Sequence, residues 1–527
     1  MFDDAIYSHA AVAAPHALAA ETGRNILAQG GNALEAMVAM GAAIAVVYPH
    51  TNSIGGDGFW IIREPKGKVR TIEACGFAGA GATREAYEVI GGIPTRGPLA
   101  ALTVPGAVGG WKAALELGEH LGGNLPLADI LGPAAKFARE GVAISPSEQR
   151  SQPRDGAGLY DAPNFRATYF VDGEAPRAGV MRKQPQLAET LTQLADAGLE
   201  DFYRGDIARE LSHDLDKLGS PITRADLKAY SARWREPLSI KTRNATLFNT
   251  PAPTQGLASL MILGIYERLG VKDIDSVDHA HALIEASKRA FVHRDRACVD
   301  FDHATEDFDK LLSSTTLQAD AENINMKRAT PWPLAAAKGD TIWMGAIDRD
   351  GLAVSYIQSI YWEYGSGVVL PRTGVLMQNR GIAFSLDPAS PRVLAPGWRP
   401  FHTLNPALAV FSDGRVMSYG SMGGDGQPQF QAQVFSRIAA GDRLARAVAT
   451  PRWLWGKTWG AESVSVKVEE AFDDAIASGL ARRGHEIERL PDARRDSFGH
   501  AGALRRGLKG EIEAAHDPRA DGGASGL

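Results

Sequence analysis

The stretch from Thr341 to Ser359 constrains the fold most. Thr341 opens the run Thr-Ile-Trp-Met-Gly-Ala-Ile, which reaches Asp348-Arg349-Asp350-Gly351, and a second run continues from Leu352 to Ser359. Apolar runs on either side of an Asp-Gly turn predict a β-hairpin. A threonine at the head of such a hairpin can act as a nucleophile if the bond before it, Asp340–Thr341, is cut. Its new α-amino group then serves as the base for its own hydroxyl. On these residues alone, an ordinary hairpin that happens to start with threonine is the competing reading.

The surrounding sequence changes that balance. Around the hairpin stand Asp340-Thr341, Asp348-Arg349-Asp350-Gly351-Leu352-Ala353-Val354-Ser355, Tyr364-Gly365-Ser366-Gly367 and Thr373-Gly374-Val375 followed by Asn379. Downstream come Arg399-Pro400-Phe401-His402-Thr403-Leu404-Asn405-Pro406 and Gly420-Ser421-Met422-Gly423-Gly424. Upstream are Ile54-Gly55-Gly56-Asp57-Gly58-Phe59 and Thr103-Val104-Pro105-Gly106. Together, in this order, they resemble the γ-glutamyltransferase family of N-terminal-nucleophile hydrolases over nearly the whole chain. The resemblance implies an α+β fold, a four-layer αββα sandwich of two antiparallel sheets flanked by helices. It also implies self-cleavage between Asp340 and Thr341. The products, 1–340 and 341–527, would be a large and a small subunit of one domain, held as a heterodimer, with further dimerisation left open. Thr341 would be the nucleophile and Ser359, on the facing strand, its hydrogen-bond partner. Gly423 and Gly424 would form the oxyanion hole, where glycine lets backbone N–H groups turn toward a developing negative charge.

Departures from the family pattern bear on the substrate. The resemblance places Cys75 where an arginine grips the glutamyl α-carboxylate, and Ala383 near the acid that holds the α-ammonium. His402-Thr403 replace paired serines, and Ile342 replaces a second threonine. A γ-glutamyl group would lose two charged contacts. Arg380, in the same loop, suits a small substrate carboxylate, with Tyr361, Gln378, His402 and Thr403 as polar neighbours. The pattern looks most like the oxamate amidohydrolase branch of the family. The expected activity is therefore hydrolysis of a small carboxylate-bearing amide such as oxamate. The alternatives are a γ-glutamyltransferase or glutathione hydrolase, a related amide acylase, and a binding protein built on a dead enzyme.

Composition bounds the remaining classes. A hydrophobic content of 44% with 22% charged residues suits a globular protein. A net charge of −6 gives no electrostatic case for nucleic acid or acidic membranes. The 2 cysteines, Cys75 and Cys298, are too few for a disulfide scaffold or a cysteine zinc site. The histidines form no His-Glu-x-x-His pair, so neither metal nor cofactor is expected. The start, Met1-Phe2-Asp3-Asp4, lacks a basic and apolar leader, which makes the cytoplasm the expected compartment. Gly55-Gly56-Asp57-Gly58 lacks the ending of a phosphate loop. Ser421 has Tyr419, not glycine, two positions before it, so it is not a nucleophile elbow.

Periodicity predicts helices over Leu18–Gln29, Asn32–Val47, Ala107–Leu117 and Asp278–Arg296, the last with Lys288, Arg289 and Arg294 on its surface. Strands are predicted over Phe59–Arg63, Leu238–Ile240, Gly345–Asp348, Ala353–Gln358 and Ala407–Phe411. A loop is expected between Ala319 and Ala337. The last twenty residues look disordered by composition, but the resemblance implies that the tail packs. The short connection from Phe384 to His402 predicts an open pocket.

Overall fold

The computed structural model describes residues 5–152, 158–331, 340–456 and 464–527. The hairpin forms as the antiparallel strands Asp340–Ile347 and Ala353–Tyr361. Asp348 closes its turn. One carboxylate oxygen accepts from the amides of Asp350 and Leu352, each at 3.0 Å. The other accepts from the amide of Ala33 at 3.0 Å. The turn is thereby fastened to the first turn of the Ala33–Val47 helix, which carries a capping box between Asn32 and Glu35.

The hairpin is the middle of a seven-stranded antiparallel sheet, in the order Gly523–Gly526, Ala11–Ala14, Asp340–Ile347, Ala353–Tyr361, Asp57–Arg63, Val69–Ala74, Arg233–Arg235. A second seven-stranded sheet runs Ala5–Tyr7, Ile512–His516, Ala501–Arg506, Val416–Ser421, Ala407–Phe411, Ala245–Asn249, Leu238–Lys241. Residues from both sides of the Asp340–Thr341 bond contribute strands to each sheet.

Strand alternation sorts side chains into layers. Ile342, Met344 and Ala346 point into a core shared with the helices Ala17–Ala28, Ala33–Val47, Ala107–His120 and Leu127–Glu140. Trp343 and Ile347 point the other way, into a core between the sheets with Phe59, Ile61, Leu408 and Leu504. The second sheet's outer face packs on Gly256–Arg268, Val277–Ala297 and Gln427–Ala439. The result is the expected four-layer αββα sandwich. Both faces of the central hairpin are buried, so its sequence reads as nearly continuous apolar runs. The Ala33–Val47 helix is buried at every position, as a circumference apolar everywhere but the capping Glu35 requires.

The predicted helices and strands are present, with ends that move by a few residues. Two readings need correction. Lys288 and Arg294 are buried, not surface groups: Lys288 pairs with Glu285 at 2.6 Å and Arg294 with Asp425 at 2.8 Å. Period-3.6 patterning cannot show that partners from elsewhere will cover a charged face. The start of the expected loop, residues 319–322, is helical, as the end of the helix Ser314–Glu322. Ser313 caps it, and Leu317 and Ala321 bury against the second sheet's helices. Residues 332–337 of that loop lie outside the described residues. The tail packs as implied: Gly523–Gly526 adds an edge strand, and Asp517 pairs with Arg452 and Arg519 in a buried cluster.

Trp343 sits between the sheets, and small residues make room for it. Its indole N–H donates to Ser355 Oγ at 2.9 Å, and Ser355 donates to the Tyr419 carbonyl at 3.2 Å. A Cβ at Gly502, on the facing sheet, would lie 2.2 Å from Trp343 Cζ3. The ring is held by its hydrogen bond and cannot retreat. Gly502→Ala is therefore expected to cost ~1–3 kcal/mol of stability through overpacking, read as a lower midpoint in urea unfolding. An unchanged midpoint would show spare room around the indole.

Candidate functional site

Three strands of the first sheet place three polar side chains in one row. Asp57 and Ser359 are directly opposed in register, and cross-strand partners share a face. On the next strand, Thr341 Oγ1 donates to Ser359 Oγ at 3.2 Å. The backbone N–H of Tyr361 donates to the same Ser359 oxygen at 2.9 Å. All three lie on the inter-sheet face.

Backbone irregularities surround the Asp340–Thr341 bond. Asp340 pairs with Tyr361 but Ile342 pairs with Gln358, so the facing strand carries one extra residue, a bulge at Ser359–Ile360 opposite Thr341. Bulges of this kind re-aim a side chain. Next to the bulge, Tyr361 has φ of 83°, a region that bulky residues rarely adopt.

The loop after Val416–Ser421 supplies the second component. Gly423 has φ of 124° and Gly424 of 54°. A Cβ on Gly423 would also meet the Phe430 ring at 2.6 Å. Neither amide has a hydrogen-bond acceptor among the described residues. The loop is braced from behind. Gln255 Nε2 donates to the carbonyls of Gly424 at 2.8 Å and Thr403 at 2.9 Å. Gln255 Oε1 accepts from Arg294, which also donates to Asp425. Sequence reasoning missed Gln255, Arg294 and Asp425, because they come from segments far apart in the chain and no local motif marks them.

Arg380 begins a 3-10 turn, Arg380–Ala383. Its guanidinium lies over the Tyr361 ring, 3.8 Å from the centroid, and Nη1 donates to Thr403 Oγ1 at 3.4 Å. Nε and Nη2 have no hydrogen-bond partner among the described residues. Asp57 Oδ1 accepts from the amides of Gly76 and Gly106, both at 3.0 Å, while Oδ2 has no close hydrogen-bond partner among the described residues, with the Gln378 side chain nearby. His402 Nε2 is 3.5 Å from that oxygen. Both His402 ring nitrogens and Gln378 Oε1 are unpartnered as well. Buried polar atoms normally find partners, so a cluster of orphans beside a hydroxyl pair marks a place for a ligand.

The charges respond to burial. Asp57 is pushed up to about 7 by burial, against the opposing pull of the Gly76 amide and Arg380. Burial lowers Arg380 to about 10, still charged at neutral pH. Burial, with Arg380 and Arg399 nearby, holds His402 well below the usual histidine range, so it is neutral. Cys75 is buried with its thiol pushed well up, and Ala383 is half-buried, so neither position offers a charge. The sequence-predicted Thr341, Ser359, Tyr361, Arg380, Gln378, His402 and Thr403 thus converge, joined by Asp57, which was visible only as part of a glycine-rich motif.

The expected open pocket is not found. Thr341, Asp57 and His402 are 0% exposed, and Arg380 is 1% exposed. The short Phe384–His402 connection folds back instead of standing clear: Ala78 N donates to Trp398 O and Gly397 N to Ala78 O, each at 2.8 Å. Phe384 and Leu394 fill an apolar cluster with Ala78, Tyr87 and Leu102.

A second titratable cluster, His281, Glu285 and His485, brings ligand-type atoms within 4.8 Å of one another. Its groups are already engaged. The two imidazoles meet at 2.8 Å, His281 Nε2 lies 2.9 Å from the Asn325 carbonyl, and Glu285 holds the Lys288 ammonium and the Thr330 amide. An adjacent ammonium opposes a metal cation, and the cluster reads as a satisfied buried network.

Residues 19–527 match the gamma-glutamyltranspeptidase family model. Over 528 residues the chain is 49% identical to the oxamate amidohydrolase proenzyme of Klebsiella pneumoniae, covering 100% of both sequences. It is 37% identical to the glutathione hydrolase-like YwrD proenzyme of Bacillus subtilis, covering 98% of each. Among solved structures, the cephalosporin acylase from Bacillus halodurans superposes with a TM-score of 0.91 at 34% identity, over 100% of this chain and 97% of that one.

Proposed function

Because this chain belongs to the gamma-glutamyltranspeptidase family, we propose that it is a self-processing amidohydrolase in which Thr341 hydrolyses a small carboxylate-bearing amide such as oxamate. The substrate class rests on one observation: a buried guanidinium, Arg380, with two nitrogens unpartnered among the described residues, stacked on Tyr361, whose amide donates to the Ser359 of the Thr341–Ser359 pair. The name of the Klebsiella relative points the same way. The two positions that would clamp a glutamyl α-carbon are uncharged, which weighs against that substrate.

In this reading the bulge opposite Thr341 leaves the Asp340–Thr341 bond presented for cleavage, which yields chains 1–340 and 341–527 that stay associated through both sheets. The freed α-amino group takes the hydroxyl proton of Thr341 as that oxygen attacks the amide carbonyl. Ser359 orients the hydroxyl. The amides of Gly423 and Gly424 receive the oxyanion, and collapse expels ammonia and leaves an ester on Thr341. Water then releases the acid. For oxamate, the net reaction with one water gives the oxalate dianion and one ammonium ion. The amide C–N bond breaks, a C–O bond forms in its place, and the departing nitrogen ends with both protons of the water. Arg380 holds the substrate carboxylate, with its plane fixed by Tyr361 and Thr403. The proposal places the protein in the cytoplasm, in keeping with two free, buried cysteines. Among the described residues no helix is long and apolar enough to cross a membrane.

Thr341→Ala is expected to run as one full-length band on a denaturing gel and to release no ammonia from oxamate. Cleavage at the same bond in that variant would remove Thr341 as the processing nucleophile. Arg380→Ala in the processed enzyme is expected to lose oxamate hydrolysis by ~10- to 1000-fold, the range for a charge-assisted contact of a few kcal/mol. Undiminished hydrolysis would place the substrate carboxylate elsewhere.

A further inference from the structure

The proposed role of Arg380 leaves Asp57 unexplained. An acid has been brought into the same enclosed space where a substrate anion is to bind. Asp57 does not serve Arg380 as a direct counter-ion: the guanidinium hydrogen-bonds Thr403 and stacks on Tyr361. The carboxyl is held rigidly. Oδ1 is occupied by the Gly76 and Gly106 amides, Oδ2 lies 3.5 Å from His402 Nε2, and the Arg380 charge and the Gln378 side chain also act on the carboxyl.

An ionised Asp57 and a substrate carboxylate enclosed together would repel strongly where water cannot screen them. With a proton on Oδ2, the same group becomes a hydrogen-bond donor aimed at the ligand. We infer that Asp57 is a specificity-determining residue that meets the substrate as a neutral acid, its Oδ2–H donating to the substrate carboxylate, so that binding a small carboxylate draws one proton into the site. This rests on the amidohydrolase reading above and extends it to a proton-linked form of anion recognition.

The neighbours on every side permit it. Arg380 stays cationic and His402 stays neutral across the range in question. Cys75, Tyr203, Tyr230 and Tyr356, which also feel Asp57, are all raised by burial and stay neutral. Among these groups, only Asp57 changes charge near neutral pH, since burial brings it to about 7. The α-amine freed at Thr341 also titrates near pH ~8, but as the catalytic base it belongs in kcat.

Two measurements on the processed protein test this. In the first, KM for oxamate is followed from pH 6 to 8. The wild type is expected to rise by about tenfold as Asp57 ionises, because only the protonated form binds. Asp57→Asn keeps the Oδ1 acceptor for the two glycine amides and puts a permanent N–H donor where the acid proton would be, so its KM should stay nearly flat. In the second, oxalate binding is measured calorimetrically at pH 8 in two buffers of different ionisation enthalpy. The wild type should take up about one proton per site, and Asp57→Asn none. If oxamate is hydrolysed but wild-type KM does not change with pH, the inference fails while the functional proposal stands. If oxalate binding takes up the proton through Asp57 but oxamate is not hydrolysed, the inference stands and the functional proposal fails. Affinity that improves as pH rises would overturn the inference in favour of an ionised Asp57 that binds a cationic group. Absence of oxalate binding would also overturn it.

Discussion

A hairpin covered on both faces cannot leave its polar side chains to water, and this constraint organises the molecule. Burying an unpaired hydroxyl, amide or carboxyl costs a few kcal/mol. Most polar groups on the hairpin's inner face are accordingly paired: Trp343 with Ser355, Ser355 with the Tyr419 carbonyl, Thr341 with Ser359, and Ser359 with the Tyr361 amide. Where the row continues to Asp57, the pairing stops. Asp57 Oδ2, two nitrogens of Arg380, Gln378 Oε1 and both nitrogens of His402 are left without partners. The contrast between a satisfied strand and an unsatisfied end is the physical basis for placing a ligand there.

The electrostatics of that end are unusual for a buried site. A cation, an acid poised near neutrality and a neutral imidazole share one enclosed space without closing on each other. Tyr361 and Thr403 fix the guanidinium from one side. Two backbone amides fix one oxygen of the acid from the other. The groups are held apart by the scaffold, which leaves their free valences available to something that enters between them. Behind the glycine loop, Gln255 ties the Gly424 carbonyl to the Thr403 carbonyl, so the Gly423–Gly424 loop and the threonine that supports Arg380 share a single brace.

Much of this was legible in the sequence, for identifiable reasons. The hairpin announced itself through its Asp-Gly turn, and the long helices through their apolar circumference or a cap such as Asn32. Glycines at 423 and 424 are required by positive φ, so the loop left a mark in composition. What escaped reading was long-range. Lys288 and Arg294 look like solvent-facing helix charges until the Thr330 carbonyl, Asp425 and Gln255 are folded around them. Asp57 looks like one letter of a glycine-rich turn until register sets it opposite Ser359. The His281–Glu285–His485 group is invisible without the fold, because His485 comes from a distant segment. The closed pocket was misjudged because a short connection was read as an absent cover, whereas the connection folds back on Ala78 and Thr341, Asp57 and His402 are fully buried.

The central claim is that this site selects a small carboxylate-bearing amide over a γ-glutamyl group, and relative turnover tests it most directly. Purified, processed enzyme would be assayed for kcat/KM on oxamate and on a γ-glutamyl anilide under the same conditions. With Cys75 and Ala383 in place of two charged contacts worth about 1.5–3 kcal/mol each, oxamate is expected to be favoured by ~100-fold or more. A γ-glutamyl anilide turned over faster than oxamate by a wide margin would contradict the assignment of Arg380 and its neighbours, while leaving the fold and the family untouched.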